Sequence, residues 1–216
     1  MPILTVDIAL LALAPEGLLV GTMTRGSAPF AGQQALPGGY VHTDEDQDTE
    51  ATARRVLLEK LGLRDILCEQ VATFSSADRD PRGWSASVTY FAVISLQDFE
   101  SVDQATNLKW VPLTNPGKLA FDHAEICQHV HRRIQSKAIY STLPAWFLPK
   151  HFTLAELRQT YERLSGQSLN DSAFRRKVRE LDMLAEVEGA KSKDTARPAQ
   201  LYRLKEAKLT DFDRKI

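Results

Sequence analysis

The stretch that most constrains this chain is residues 36–63, LPGGYVHTDEDQDTEATARRVLLEKLGL, which reads as a Gly-Gly turn, an acidic loop and an amphipathic helix. Gly38 and Gly39 allow either a close backbone approach or a positive φ, and Pro37 fixes the strand exit. From Thr49 to Leu61 the apolar residues Ala53, Val56, Leu57 and Leu61 recur at helical spacing, with Asp48 as a cap and Gly62 as a stop. A tight loop feeding a helix is a shape suited to cradling a phosphorylated ligand.

These residues resemble the Nudix box: glycine, five residues, glutamate, seven residues, then Arg-Glu-apolar-any-Glu-Glu-any-Gly-apolar. That box marks hydrolases of nucleoside diphosphates linked to another moiety. Gly39 and Glu45 sit at the family's spacing, and Arg55, Leu57, Glu59, Gly62 and Leu63 match at the other end. The middle departs from it. Arg55 falls two residues late, Val56 stands in place of a glutamate, and Lys60 replaces the second glutamate of the pair.

Positions 56, 59 and 60 are related by i, i+3 and i+4 and so share a helix face. In a Nudix enzyme that face holds three carboxylates, because Mg²⁺ needs hard oxygen ligands and the metal neutralises the pyrophosphate. Val56, Glu59 and Lys60 bring the formal charge there from minus three to zero. The expectation is a site that kept its ligand shape and lost its chemistry, with no catalytic residue, no metal and no cofactor, and with Lys60 facing a phosphate as a point charge. The alternative is a residual pyrophosphatase that uses Glu45, Glu59 and Asp44 or Asp46.

At 216 residues the chain is long for one domain and comfortable for two. Residues 1–150 carry 13 Lys+Arg against 17 Asp+Glu, net −4, whereas residues 151–216 carry 14 against 11, net +3, so the second part is the one suited to a polyanion. Cys68 and Cys127 lie in no zinc or CxxC pattern and are expected to be free, buried thiols. The N-terminal run MPILTVDIALLALA has no basic leader, contains Asp7 and is too short to span a bilayer; it is expected to be a first strand of a cytoplasmic protein with no membrane partner.

Thr5 to Ala14 and Leu18 to Arg25, separated by Pro15-Glu16-Gly17, read as a hairpin. Strands follow at 66–76, 85–95 and 108–113, with a helix at 121–137 whose stripe is Ala124, Ile126, Cys127, Val130 and Ile134. Asp122 at its start reads as an N-cap. The loop Ala77 to Trp84 gathers Arg79, Arg82 and Trp84; guanidinium forks suit phosphate oxygens and an indole can stack on a base. The candidate ligand contacts are therefore Arg25, Gly38, Gly39, Glu59, Lys60, Arg79, Arg82 and Trp84, although Arg25 reads equally as a solvated loop cation. The fold class is α/β, an α/β/α sandwich.

Ser141 to His151, with Pro144 and Pro149, interrupts the helical pattern and is expected to link a domain at 1–140 to one at 152–216. Thr153-Leu-Ala-Glu156 is a capping box opening a helix with Leu154, Leu157, Tyr161 and Leu164 on one face. After the turn at Ser165-Gly166-Gln167, a second helix near Asp171 packs through Phe174, Val178 and Leu181, giving a helix-turn-helix pattern. Arg175, Arg176, Lys177 and Arg179 occupy its other faces, fit for a major groove and its phosphates, and a solvated basic helix is the alternative. Leu184 to Val187 and Ala199 to Leu204 read as the two strands of a wing with Lys191, Lys193 and Arg197 near its tip. Thr153 and Ser172, at the helix starts, complete the candidate DNA contacts.

The strings 152–157, FTLAEL, 174–178, FRRKV, and 197–202, RPAQLY, downstream of a Nudix-like domain resemble the Nudix-related transcriptional regulators of NAD metabolism, the NrtR type. The resemblance implies a Nudix sandwich joined to a winged helix-turn-helix. It also implies a homodimeric repressor of NAD biosynthesis or salvage genes, whose operator binding responds to ADP-ribose or a related NAD metabolite. A third possibility is a metabolite-binding adaptor whose second domain meets protein.

Overall fold

The computed structural model describes residues 2–191, 198–213 and 216, with the backbone alone at residues 190 and 191. The chain forms two compact units, Met1–Ile94 with Asp98–Arg132, and Ser95–Gln97 with Arg133–Ile216. Residues 141–151, the expected linker, fall wholly in the second unit, where Leu143, Pro144, Ala145 and Phe147 are buried.

The first unit is built on β1 (Ile3–Ala14), whose residues 6–14 are all buried, as a near-continuous apolar run requires of a strand covered on both faces. It turns at Gly17 into β2 (Gly17–Thr24) as an antiparallel hairpin. The short β3 (Gln34–Ala35) pairs with β2, and β4 (Gly38–Tyr40) pairs with the start of β1. After α1 (Thr49–Leu61), β5 (Leu67–Ser76) and β6 (Ser85–Val93) pair antiparallel, and β6 lies parallel to β1. Then come α2 (Leu96–Ala105), β7 (Lys109–Pro112), which pairs with β2, and α3 (His123–Ala138). The main order is β3-β2-β1-β6-β5.

Helix α1 forms where the apolar spacing placed it. The Asp48 carboxylate accepts from Ala51 N at its start, and Gly62, at φ 68°, closes it. Its Ala53, Val56, Leu57 and Leu61 pack on Val6, Ile8 and Leu10 of β1 and on Tyr90 and Ala92 of β6. Residues of opposite parity, Ala9, Leu11 and Phe91, are equally buried on the other face, and the α3 stripe Ile126, Cys127, Val130 and Ile134 is fully buried. Helix α2 was not expected from the sequence, although Leu96, Phe99 and Val102 recur every third residue. Cys68 and Cys127 are free thiols, and burial pushes both up to about 12.

In the second unit α4 (Leu143–Trp146) precedes α5 (Leu154–Ser165) and α6 (Asp171–Leu181), and β8 (Leu184–Lys191) pairs antiparallel with β9 (Gln200–Leu204). Both halves of the Thr153–Glu156 capping box are present, and Gly166 ends α5 at φ 72°. Phe152, Leu157, Tyr161, Phe174, Val178 and Met183 form the core. The Tyr161 hydroxyl donates to Ser141 O at 2.8 Å, which ties α5 to the segment before α4. Among the described residues no helix is long and apolar enough to cross a membrane.

Candidate functional site

The pairing of β4 with β1 sets Gly38 opposite Asp7. A Cβ on Gly38 would lie 2.2 Å from Asp7 Oδ1 and 2.7 Å from Val6 O, and one on Gly39 would lie 3.0 Å from Val56 Cγ2. Neither glycine has a positive φ. The pair therefore serves close approach, the first of the two uses open to it. Beside it opens a cavity of about 330 Å³ lined by Asp7, Gly38, Gly39, Tyr40 and Lys60, by Arg25, Arg79 and Arg82, and by Phe121 and His123.

The three box positions on α1 diverge. Val56 is in the core. Lys60 lines the cavity, and its ammonium donates to Gly38 O. Burial lowers its proton affinity, Asp7 opposes that and Arg25 adds to it, so the ammonium sits below the usual lysine range. Glu59, expected at the ligand, is instead 58% exposed, paired to Arg55 at 3.3 Å, and lines a separate hollow. Successive helix residues are about 100° apart, so a lysine aimed at Gly38 leaves its neighbour turned away.

Arg55 builds the loop. Its guanidinium donates to both oxygens of Asp46, at 2.9 and 2.8 Å, and to Tyr40 O at 3.0 Å. Asp46, whose side chain is 3% exposed, also accepts from His42 N and Thr52 Oγ1. The Arg55 hydrogen bonds, against a smaller opposing effect of burial, hold its carboxyl well below the usual carboxylate range. Glu45 lies out at the His42 ring, 3.2 Å away. The carboxylate that anchors this loop is thus Asp46, one residue beyond the position of the family's glutamate. Among the described residues no three His, Cys, Asp or Glu side chains are grouped to hold a metal ion.

The cavity floor is a buried charge network. Arg79 forks onto Asp122, both contacts 2.8 Å, and approaches Asp7 at 3.7 Å. Asp122 is therefore an arginine partner and not the expected cap. Ser87 donates to Asp7 at 2.6 Å, and His123 Nε2 lies 3.6 Å from the same carboxylate. The Leu36 N–H donates to His123 Nδ1 at 2.9 Å, which places the ring proton on the Nε2 facing Asp7. Burial raises the Asp7 carboxyl, but His123, Ser87 and Arg79 together hold it below its usual value.

Six expected ligand residues thus meet at one cavity: Arg25, Gly38, Gly39, Lys60, Arg79 and Arg82. Trp84 does not join them. It is 50% exposed and lies outside the lining, because the next residue, Ser85, is fully buried at the start of β6 and strand neighbours point to opposite faces. The sequence reading missed Asp7, Tyr40, Phe121 and His123. An aspartate inside an apolar strand was the available signal for the first.

In the second unit α6 is capped by Asn170 and exposes Ser172, Arg175, Arg176 and Arg179, with Lys177 half-buried. Arg175 pairs with Asp171 at 2.7 Å and Arg176 with Glu180 at 3.8 Å, so both cations are held along the helix. Thr153 is buried, and its hydroxyl is engaged with Glu156, which makes it a cap. The backbone of Lys191 ends β8, whereas Lys193 and Arg197 lie outside the described residues.

A family profile described as the NrtR DNA-binding winged helix domain matches residues 144–204. The ADPR responsive transcriptional repressor NtrR of Acinetobacter baylyi is 39% identical over 215 residues, 98% of this chain and 84% of that protein. The crystal structure of Shewanella oneidensis NrtR complexed with a 27mer DNA superposes with a TM-score of 0.87 at 34% identity, covering 99% of each chain. The Nudix domain of Shewanella oneidensis NrtR complexed with ADP ribose matches at a TM-score of 0.54 and 33% identity, over 62% of this chain and 88% of that one.

Proposed function

The chain belongs to the NrtR family of transcriptional repressors, which join a Nudix domain to a DNA-binding winged helix, and from that premise we propose that it is a non-catalytic, ADP-ribose-responsive repressor of NAD biosynthesis or salvage genes. The observation that carries the reading is the replacement at the box helix: the cavity beside Gly38 and Gly39 receives an ammonium from Lys60, while Val56 is sealed in the core. A diphosphate placed beside the Gly-Gly pair meets the Lys60 ammonium where a hydrolase presents metal ligands. Ligand would bind without a cofactor and remain whole.

Cations on α6 supply the DNA side, with Ser172 near base edges and Arg175, Arg176, Lys177 and Arg179 on phosphates. Two copies reading a palindromic operator are the natural arrangement, because two-fold DNA symmetry calls for a two-fold protein. A protein so built works where the chromosome is, in the cytoplasm. Effector and operator are coupled by the differential affinity of each for two arrangements of the chain, so the coupling is reciprocal.

Fluorescence anisotropy on a duplex from upstream of NAD genes, with and without saturating ADP-ribose, tests this directly. A shift in operator affinity is expected, and an unchanged constant removes the effector. A hydrolase is the competing outcome: release of AMP from ADP-ribose and Mg²⁺ well above a Glu59→Gln control would establish it. Absence of duplex binding even at low salt would favour the adaptor.

A further inference from the structure

Two phenylalanines have backbones in the left-handed region, Phe30 at φ 64° and Phe121 at φ 54°. For a bulky residue this conformation is costly, and glycine or asparagine would take it more cheaply. Strain of this kind gathers at ligand clamps. Here it brings the two rings together edge to face, 4.9 Å between centroids, with Phe121 lining the cavity.

The Phe121 ring is also where two arginines converge. The guanidinium carbon of Arg25 lies 4.6 Å from its centroid and that of Arg82 5.9 Å. Arg82 is in turn 5.6 Å from the Tyr40 ring and donates to the Tyr40 hydroxyl. Neither cation swings freely: Arg82 is forked on Asp80, and Arg25 Nε donates to Pro29 O at 2.9 Å. The result is a fixed run of flat groups, Arg25, Phe121, Arg82 and Tyr40. It ends on the Tyr40 ring, which is 49% exposed, follows Gly39 in the chain and lines the cavity.

Guanidinium faces stack on planar π systems, and aromatic rings accept any base on their faces. We propose that this run of plates is the seat of the effector's aromatic base, so that the cavity selects a nucleotide over a sugar phosphate or pyrophosphate that lacks one. The inference rests on the reading of the cavity as the effector site, and it assigns the stacking role to Phe121 and Tyr40 in place of Trp84.

Calorimetry on the full chain tests it, with Phe121→Leu and Tyr40→Leu compared with the unaltered protein after thermal melts have confirmed folding. Each leucine should weaken ADP-ribose by roughly tenfold, the scale of one lost base stack. Competition by inorganic pyrophosphate should not change. Phe121→Trp should keep the affinity, and its added indole emission should be quenched by ADP-ribose. Both leucine variants within twofold of the unaltered protein would overturn the seat, as would equal losses for pyrophosphate and ADP-ribose. If the unaltered protein takes AMP but not ADP-ribose, and Phe121→Leu loses AMP, the seat stands while the effector assignment falls.

Discussion

Replacing Lys60 tests whether an ammonium has taken over the electrostatic role of a metal. Its Nζ is fixed by Gly38 O at the cavity edge, so a phosphate seated beside the Gly-Gly pair lies within reach. Two unit charges about 4 Å apart at an effective dielectric of about 20 attract by about 4 kcal/mol, and the partial exposure of this side chain roughly halves that. Lys60→Met, which keeps the stem and deletes the charge, should therefore cost about 2 kcal/mol, roughly 30-fold in ADP-ribose affinity. Lys60→Glu reverses the charge and should cost about twice as much, part of it recovered by Mg²⁺. Titration calorimetry in EDTA and in Mg²⁺ gives both numbers, and the unaltered protein should bind equally in the two. Because burial and Arg25 hold the ammonium below the usual lysine range against the pull of Asp7, affinity should fall as pH rises through that lowered value, earlier than for an ordinary lysine. Lys60→Met should lack this limb. A methionine variant within twofold of the unaltered protein, or binding that collapses in EDTA, would refute the reasoning.

Val56→Glu should not restore a hydrolase on its own: it places a carboxylate in the core that Val56 now fills, and urea unfolding without metal should show a loss of more than about 2 kcal/mol. Asp7→Ala should cost on the order of 2–3 kcal/mol, because Ser87 and His123 lose their acceptor while Arg79 keeps Asp122. Since the folded Asp7 carboxyl lies below its unfolded value, the stability it adds is present above the unfolded pKa and lost as pH falls through the folded one; acid unfolding of Asp7→Ala should lack that step. Tyr161→Phe strands Ser141 O in the second core and should cost about 1–2 kcal/mol by thermal melt. Arg175→Ala with Arg176→Ala should reduce the slope of log affinity against log salt by about two on operator and random duplex alike.

What could be read from the sequence was local. The ends of α1 and α5 are set by groups within one turn, Asp48 with Ala51 N, Thr153 with Glu156, and Gly62 and Gly166 in the left-handed conformation, so these helices were legible almost to the residue. The sandwich and the winged helix followed, because apolar spacing decides which face is buried. The cavity is different in kind. Asp7 is set against Gly38 by strand register, His123 is oriented by a backbone N–H from Leu36, and Phe121 and Tyr40 come to Arg82 from distant parts of the chain. No spacing rule announces such meetings. Trp84 shows the converse error, since proximity to two arginines in the chain made it attractive and one step of strand alternation turned it away. The exchange of Asp46 for Glu45 is the most instructive case. The two-residue extension moves the loop's carboxylates relative to Arg55, and Arg55 takes Asp46, the one buried beneath it, because that carboxylate left without its guanidinium is the costlier outcome. A loop is held by its contacts before its spacing, which is why one with Val56 and Lys60 on its helix keeps its shape around the Lys60 ammonium.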